Sequence, residues 1–363
     1  MQNKTTTRSV IRSDIMAMHA YVVQDSKGYV KLDAMENPYT LSAALQAELG
    51  KRLAAIEVNR YPGQRIHDLQ DALAHYCNLP ENYSLILGNG SDELISLLAI
   101  AIDQPGASIM APLPGFVMYE MSAKIQGVKF IGIELDADFE LDVDTMLQAI
   151  HTHQPALVYL AYPNNPTANL WSDEAMHSII QACEMVGSLV VIDEAYQPFA
   201  SKSFIQEMTH YQNVLLLRTL SKFGLAGVRL GYLVGPSHIV NQINKIRPPY
   251  NISVLNAEAA LFALEHQAEF QQQAQLICQE RDLLLSQLEA LDQLKVYPSQ
   301  ANMILLRLKP PLLAAEVFQG MKDKGVLIKN VSSLHTSLNN CLRITVGTAQ
   351  ENQQMMKALK ACL

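Results

Sequence analysis

At 363 residues the chain is too long for one small core, and a large domain with a smaller one is the expectation. With 49% hydrophobic and 17% charged residues it has the balance of a folded globular chain, which excludes a disordered one. A net charge of −8 argues against nucleic acid as the main partner, so an anionic ligand would need locally placed cations.

Five scattered cysteines (Cys77, Cys183, Cys278, Cys341, Cys362), odd in number and without a Cys-x-x-Cys, read as free thiols in a reducing compartment. No metal-ligand set is expected. The segment from Met1 to Asp14 is polar and lacks the apolar centre of a secretory signal. No stretch approaches the roughly 20 apolar residues of a membrane span. A cytoplasmic protein with no membrane partner is therefore expected.

The first 45 residues have weak periodicity and are expected to wrap across two domains or onto a partner. From about residue 85 to 235, apolar runs alternate with helical patterns. Ser84–Leu87, Ala107–Met110, Ala156–Leu160, Ser188–Ile192 and Asn213–Leu217 predict buried strands, because each is short, apolar and flanked by turn or polar residues. Leu94–Ile102 and Ala175–Met185 predict helices. This alternation predicts an α/β domain with a mostly parallel sheet, whose ligands bind beyond the carboxyl ends of the strands. From about 255 to 295 the pattern is helical. Strand-like Asn302–Arg307, a helix near 313–324 and strand-like Leu342–Val346 then predict a smaller α+β domain. The expected division is 46–265 for the large domain, and 1–45 with 266–363 for an N-terminal arm and the small domain.

Several chemical groups fall just past predicted strand ends. Leu87-Gly-Asn-Gly-Ser-Asp-Glu-Leu94 joins a strand to an apolar helix. Gly88 and Gly90 permit close backbone approach, and the N–H groups of Ser91 and Asp92 suit a phosphate. Asp92 is expected to act through its backbone or at second hand. Tyr162-Pro-Asn-Asn-Pro-Thr167 follows the third strand, where Pro163 and Pro166 stiffen the loop that presents Asn165. Asp193-Glu-Ala-Tyr196 follows the fourth. A carboxylate there can keep a pyridinium nitrogen protonated, and Tyr196 can donate to a phenolic oxygen on the same ring.

Arg218-Thr-Leu-Ser-Lys-Phe-Gly-Leu-Ala-Gly-Val-Arg-Leu-Gly-Tyr232 follows the fifth strand and is the richest run. Lys222 suits a Schiff base and a proton shuttle, with a pKa lowered by burial and a cationic cofactor. Ser221 and Arg229 suit a phosphate. Arg343, in a β-rich run near the C-terminus, suits bidentate capture of an anionic substrate group. Each element alone has an ordinary reading: an Asn-Pro turn, an acidic turn, a surface lysine, a capped helix start. Their order and their shared place at strand ends give them weight.

Together these pieces resemble the fold-type I, aspartate-aminotransferase-like pyridoxal phosphate enzymes, from about residue 18 to the C-terminus. The narrower resemblance is to the histidinol-phosphate aminotransferase family. It rests on Lys31-Leu-Asp-Ala-Met-Glu-Asn-Pro-Tyr39, Arg60-Tyr-Pro62, Gly88–Ile95, Pro114-Gly-Phe-Val-Met-Tyr119, Arg247-Pro-Pro-Tyr-Asn251 and Cys341–Thr348. The resemblance implies pyridoxal 5'-phosphate on Lys222, with Asp193 at the ring nitrogen and Asn165 and Tyr196 at the ring oxygen. It puts Phe116 on the ring face, where this family usually has tyrosine. Ser91, Asp92, Ser221 and Arg229 would hold the phosphate, with Tyr61 reaching it from the partner subunit of a homodimer. Arg343 would bind the carboxylate of glutamate or the phosphate of histidinol phosphate, and Tyr21 and Asn37 would line the substrate pocket.

The chain departs from the family in three places. Ala168 stands where glycine usually follows Asn-Pro-Thr, which demands ordinary α or β backbone there, or strain. The span from Lys222 to Arg229 is one residue shorter than in many members. Lys329 stands where an arginine is often found, and would act as a point charge for a substrate phosphate. Aromatic amino acid aminotransferases and threonine-phosphate decarboxylase-like lyases are the alternative activities.

Overall fold

Alternating apolar runs with turn residues at both ends build one seven-stranded sheet, as the computed structural model shows for residues 10–18, 20 and 24–363. In chain order the strands are β1 (Val30–Lys31), β2 (Tyr83–Asn89), β3 (Ser108–Leu113), β4 (Lys129–Glu134), β5 (Leu157–Ala161), β6 (Leu189–Asp193) and β7 (Val214–Thr219). They continue as β8 (Leu230–Pro236), β9 (Leu294–Val296), β10 (Met303–Leu308), β11 (Val326–Leu327), β12 (Lys329–Asn330) and β13 (Cys341–Thr345).

The large sheet runs β2-β8-β7-β6-β5-β3-β4, and β8 alone is antiparallel to its neighbours. Its middle strands are covered on both faces. Val158, Leu160, Val190, Ile192, Val214 and Leu216 enter one apolar cluster, while Leu157, Tyr159, Val191, Leu215 and Leu217 enter the other. Strand period two sends alternate residues to opposite faces, so these runs read as continuously apolar.

Register then sets the site. Ala161 pairs with Asp193, and Asp193 with Leu217, so β5, β6 and β7 end side by side. Asp193, at the end of β6, and the loops carrying Asn165 and Lys222 therefore meet at one edge of the sheet.

Two strands of this sheet, β4 and β8, lie outside the expected set. β4 is an edge strand with Lys129 and Glu134 exposed at its ends, so it lacks the continuous apolar run. β8 carries Gly231, Gly235 and Pro236, residues that weaken a strand signal. Gly231 is needed there, because a Cβ would meet the Ser91 backbone nitrogen at 2.6 Å.

The helical run expected over 255–295 is two helices, Val254–Glu265 and Gln267–Glu289, followed by β9. Composition alone conceals both the break at His266 and the turn after Glu289. A four-stranded antiparallel sheet, β12-β13-β10-β9, packs around a third apolar cluster containing Met303, Ile304, Leu342, Ile344 and Met355. β1 pairs in parallel with β11. Upstream, Arg12 Nη1 and Nη2 donate to the carbonyls of Ile125 and Lys124. The early segment thus touches the helix Val117–Gln126 as well as β11.

Ala168 takes the strained alternative. Its φ is +67°, the left-handed region that disfavours a Cβ, and it is fully buried. Bonds on both sides hold it: Ala168 N donates to Asn164 O at 2.8 Å, and Gln300 N donates to Ala168 O at 2.7 Å. Asn164 Nδ2 in turn donates to Pro114 O and Thr167 Oγ1. The loop presenting Asn165 is over-determined by its neighbours, the condition under which such strain persists.

Candidate active site

The shared sheet edge opens onto a pocket whose walls include Ser91, Asp92, Phe116, Asn165, Asp193, Tyr196, Ser221, Lys222 and Arg229. All nine were expected from sequence to hold a cofactor, and the fold brings them together.

One end of the pocket suits an anion. The helix Ser91–Ala101 begins there, and its N-terminal dipole favours negative charge. Arg229 Nη1 donates to Ser221 Oγ at 3.2 Å, and Thr219 Oγ1 lies 3.0 Å from Ser221 Oγ. Gly90 has φ +78°, and a Cβ on it would sit 2.7 Å from Arg229 Nη2. The seven-residue spacing between Lys222 and Arg229 thus still delivers the guanidinium to this end. The Asp92 side chain also lies at this end: its Oδ2 is 3.5 Å from Arg229 Nη2.

The other end suits a cation. Asp193 is 4% exposed and makes no ion pair among the described residues. Tyr119 Oη donates to its Oδ2 at 2.7 Å, and Ala195 N donates to its Oδ1 at 3.0 Å. Burial pushes its carboxyl up to about 6, against the pull of those two bonds. A buried carboxylate without a cation leaves a place for a protonated ring nitrogen.

Between the ends, Asn165 Nδ2 donates to Tyr196 Oη at 3.0 Å, and Arg343 Nη1 donates to Asn165 Oδ1 at 2.8 Å. Burial raises the Tyr196 phenol, and nearby Arg343 opposes the shift. Lys222 Nζ donates to Ala34 O at 3.0 Å and stands 5.8 Å from the Tyr196 ring centroid. Burial, then the Arg343 charge, lowers the Lys222 amine to about 8. It is therefore partly uncharged near neutral pH, as a nucleophile and proton carrier must be.

The residues expected to bind substrate, and Tyr61, expected to reach the phosphate of a partner subunit's site, make the following contacts. Lys329 pairs directly with Arg343 across β12 and β13, so both cations lie on one face of the small sheet. Arg343 Nη2 also donates to Asp33 O at 2.9 Å. Asn37 Nδ2 donates to Gln273 Oε1 at 2.8 Å. Tyr61 is 75% exposed, outside the pocket, and stacked on Tyr250 with centroids 4.1 Å apart. Tyr21 lies outside the described residues.

Tyr119 and Met35 were not foreseen. Tyr119 sits in the first turn of the helix Val117–Gln126, three residues after its N-cap Phe116, and its ring meets the Phe116 ring edge-on. Met35 lines the pocket with φ +53°, fixed by its N–H to Thr345 Oγ1 and its carbonyl to Asn302 Nδ2. No local signal marks it, because its contacts lie over 260 positions away.

Residues 27–359 match the model of the aminotransferase class I and II family. A histidinol-phosphate aminotransferase of Methylibium petroleiphilum is 60% identical over 97% of this chain and 94% of its own length. Another, of Polaromonas naphthalenivorans, is 58% identical over 98% of this chain and 97% of its own. The solved structure of histidinol-phosphate aminotransferase from Sinorhizobium meliloti in complex with pyridoxal-5'-phosphate superposes with a TM-score of 0.84. It is 24% identical, covers 98% of both chains, and bears on the fold. With matches that span nearly its whole length, the chain belongs to the class I and II aminotransferases, and among them to the histidinol-phosphate aminotransferase family.

Proposed function

We propose that the protein is a pyridoxal phosphate-dependent aminotransferase of histidine biosynthesis. It moves an amino group from histidinol phosphate to 2-oxoglutarate, giving imidazole acetol phosphate and glutamate. The observation that carries the substrate is the 60% identity over nearly the full chain to a histidinol-phosphate aminotransferase. The pocket supports the cofactor, with an anion cradle at one end and a buried, cation-less carboxylate at the other.

Pyridoxal phosphate, when bound, accepts the amino group and takes up the electron pair left on the substrate α-carbon. The chain's residues do the rest. Ser91, the backbone N–H of Asp92, Ser221 and Arg229 would hold the phosphate. Asp193 would hold the ring nitrogen, Asn165 and Tyr196 the ring oxygen, and Phe116 the ring face. Lys222 Nζ would hold the cofactor and, when free of it, would carry the proton lost from the substrate α-carbon. Arg343 and Lys329 would bind the anionic group of each substrate in turn. Asn37 and Tyr21 belong to the same proposed substrate set.

The protein is proposed to work as a homodimer in the cytoplasm. Support for the dimer is the exposed apolar set of Val58, Tyr61, Ile246, Tyr250 and Leu255. In the dimer Tyr61 would reach the phosphate in the partner subunit's site. All five cysteines are free, as a reducing compartment requires. No helix among the described residues is long and apolar enough to cross a membrane. The division into 46–265 and 1–45 with 266–363 is likewise a proposal, supported by the separate apolar cluster around β10 and β13.

The deciding experiment is an absorbance spectrum of the purified protein before and after adding histidinol phosphate without a keto acid. Loss of the visible cofactor band with release of the ketone is the expected result. A band that ignores histidinol phosphate but bleaches with phenylalanine or tyrosine would select the aromatic aminotransferase activity. Carbon dioxide release from a phosphorylated amino acid, with no need for 2-oxoglutarate, would select the lyase.

A further inference from the structure

We propose that Tyr119 is a positioning residue for this reaction, its hydroxyl holding Asp193 as an aimed carboxylate at the cationic end of the pocket. The inference rests on the role given to Asp193 above.

Both Asp193 oxygens are committed, Oδ2 to Tyr119 Oη and Oδ1 to Ala195 N. The backbone bond belongs to the turn itself. The Tyr119 bond spans 74 positions, and is the one side-chain hydrogen bond to this carboxylate among the described residues. Burial opposes the charge that the role requires, and a donor to the charged form is what restores it. The titratable neighbours do not supply this help. Asp92, from the helix Ser91–Ala101, and Glu194, the next residue, both oppose a negative Asp193. Tyr159 from β5 and Tyr196 from the following turn are neutral phenols that its charge pushes up. The cations of the same pocket, Lys222 and Arg229, make no ion pair with it.

The Tyr119 ring cannot turn its hydroxyl elsewhere. It stacks on Tyr159 with centroids 4.2 Å apart and planes within 5°, and meets Phe116 edge-on at 5.6 Å. Tyr159 is a matched control: it is fully buried in the same stack, yet its hydroxyl has no hydrogen-bond partner among the described residues. Removing that hydroxyl keeps the packing and touches no bond to Asp193.

The test compares Tyr119→Phe, Tyr159→Phe, Asp193→Asn and the Tyr119→Phe/Asp193→Asn double variant. The readouts are the dissociation constant of pyridoxal phosphate from apoprotein titrations and the pH profile of kcat/KM. Loss of a hydrogen bond to a charged group corresponds to roughly a 10- to 100-fold effect. Tyr119→Phe is expected to weaken cofactor binding by that range and to lower kcat more than it raises KM. The acid limb of its pH profile should move to higher pH. Tyr159→Phe should match the parent. Tyr119→Phe should add nothing in the Asp193→Asn background, because its effect runs through that carboxylate. Equal behaviour of the two Tyr→Phe variants, with Asp193→Asn impaired, overturns the inference and leaves the reaction assignment standing. So does an undiminished Tyr119→Phe penalty in the double variant. Normal cofactor binding and turnover by Asp193→Asn overturns the role of Asp193, and the inference with it.

Discussion

Arg343 Nη1 donates to Asn165 Oδ1 at 2.8 Å, joining β13 of the small sheet to the loop after β5 of the large one. Asn165 passes its own amide hydrogen to Tyr196 Oη. The proposed substrate cation and the proposed cofactor ligands are thus one hydrogen-bonded chain. Arg343→Lys keeps the charge but loses the planar fork that serves Asn165 and Asp33 O together. It is expected to lower kcat/KM for glutamate by roughly 10- to 100-fold, the range for a lost charge-assisted bond. Steady-state kinetics check this, and an unchanged kcat/KM would remove Arg343 from the substrate site.

Burying Asp193 is costly to the apoprotein. Its carboxyl ionises near 3.8 in an unfolded chain and near 6 in the folded one, chiefly because of burial. The folded state therefore binds the proton more tightly, and stability is lost as pH rises from about 3.8 through about 6. Asn cannot ionise and escapes that loss. Apoprotein with Asp193→Asn is expected to be more stable than the parent above about pH 6, on the order of 2–3 kcal/mol, with the gap closing toward pH 4. Urea unfolding at several pH values measures it, and a gap that does not vary with pH contradicts the assignment.

Lys222 provides a second pH test. Its amine, lowered to about 8 by burial and by Arg343, must be uncharged to attack the cofactor aldehyde. The rate of pyridoxal phosphate uptake by apoprotein is expected to rise with pH and to level off above about 8. Stopped-flow absorbance follows it, and a midpoint near the ordinary lysine value would show an unperturbed amine. Lys222→Ala should retain no cofactor after borohydride reduction, and its turnover should fall by about 100- to 10,000-fold.

Gly90 is constrained twice, by φ +78° and by the 2.7 Å approach of a Cβ to Arg229 Nη2. Gly90→Ala strains the start of the helix and pushes the guanidinium out of the anion cradle. Cofactor affinity is expected to fall at least about 10-fold, with a destabilisation of roughly 1–2 kcal/mol. Titration of apoprotein and thermal unfolding separate the two effects. Native affinity would mean that Arg229 does not hold the phosphate.

Much of this was legible in the chain. Strands β5, β6 and β7 are short continuous apolar runs, and that pattern is local. Asp193 ends β6, and Asn165, Ser221 and Lys222 follow β5 and β7 within a few positions, so a parallel sheet was enough to gather them. The edge strand β4 and the glycine-bearing β8 carried no such pattern. Their place is decided by partners on the sheet rather than by their own residues.

Local pattern was enough to mark β2, β3, β5, β6 and β7 and the chemical groups at their ends, because apolar period and turn chemistry act over a few residues. Only the folded arrangement brings Tyr119 to Asp193, Arg343 to Asn165 and the Ala34 carbonyl to Lys222. It also decided that Ala168 bears a left-handed backbone. Each of the three contacts spans 74 positions or more, and nothing local encodes a distance across the chain. Strand order, register and the seating of one sheet against the other bring such residues together, and a carboxylate or an amine takes its proton affinity from whatever then surrounds it.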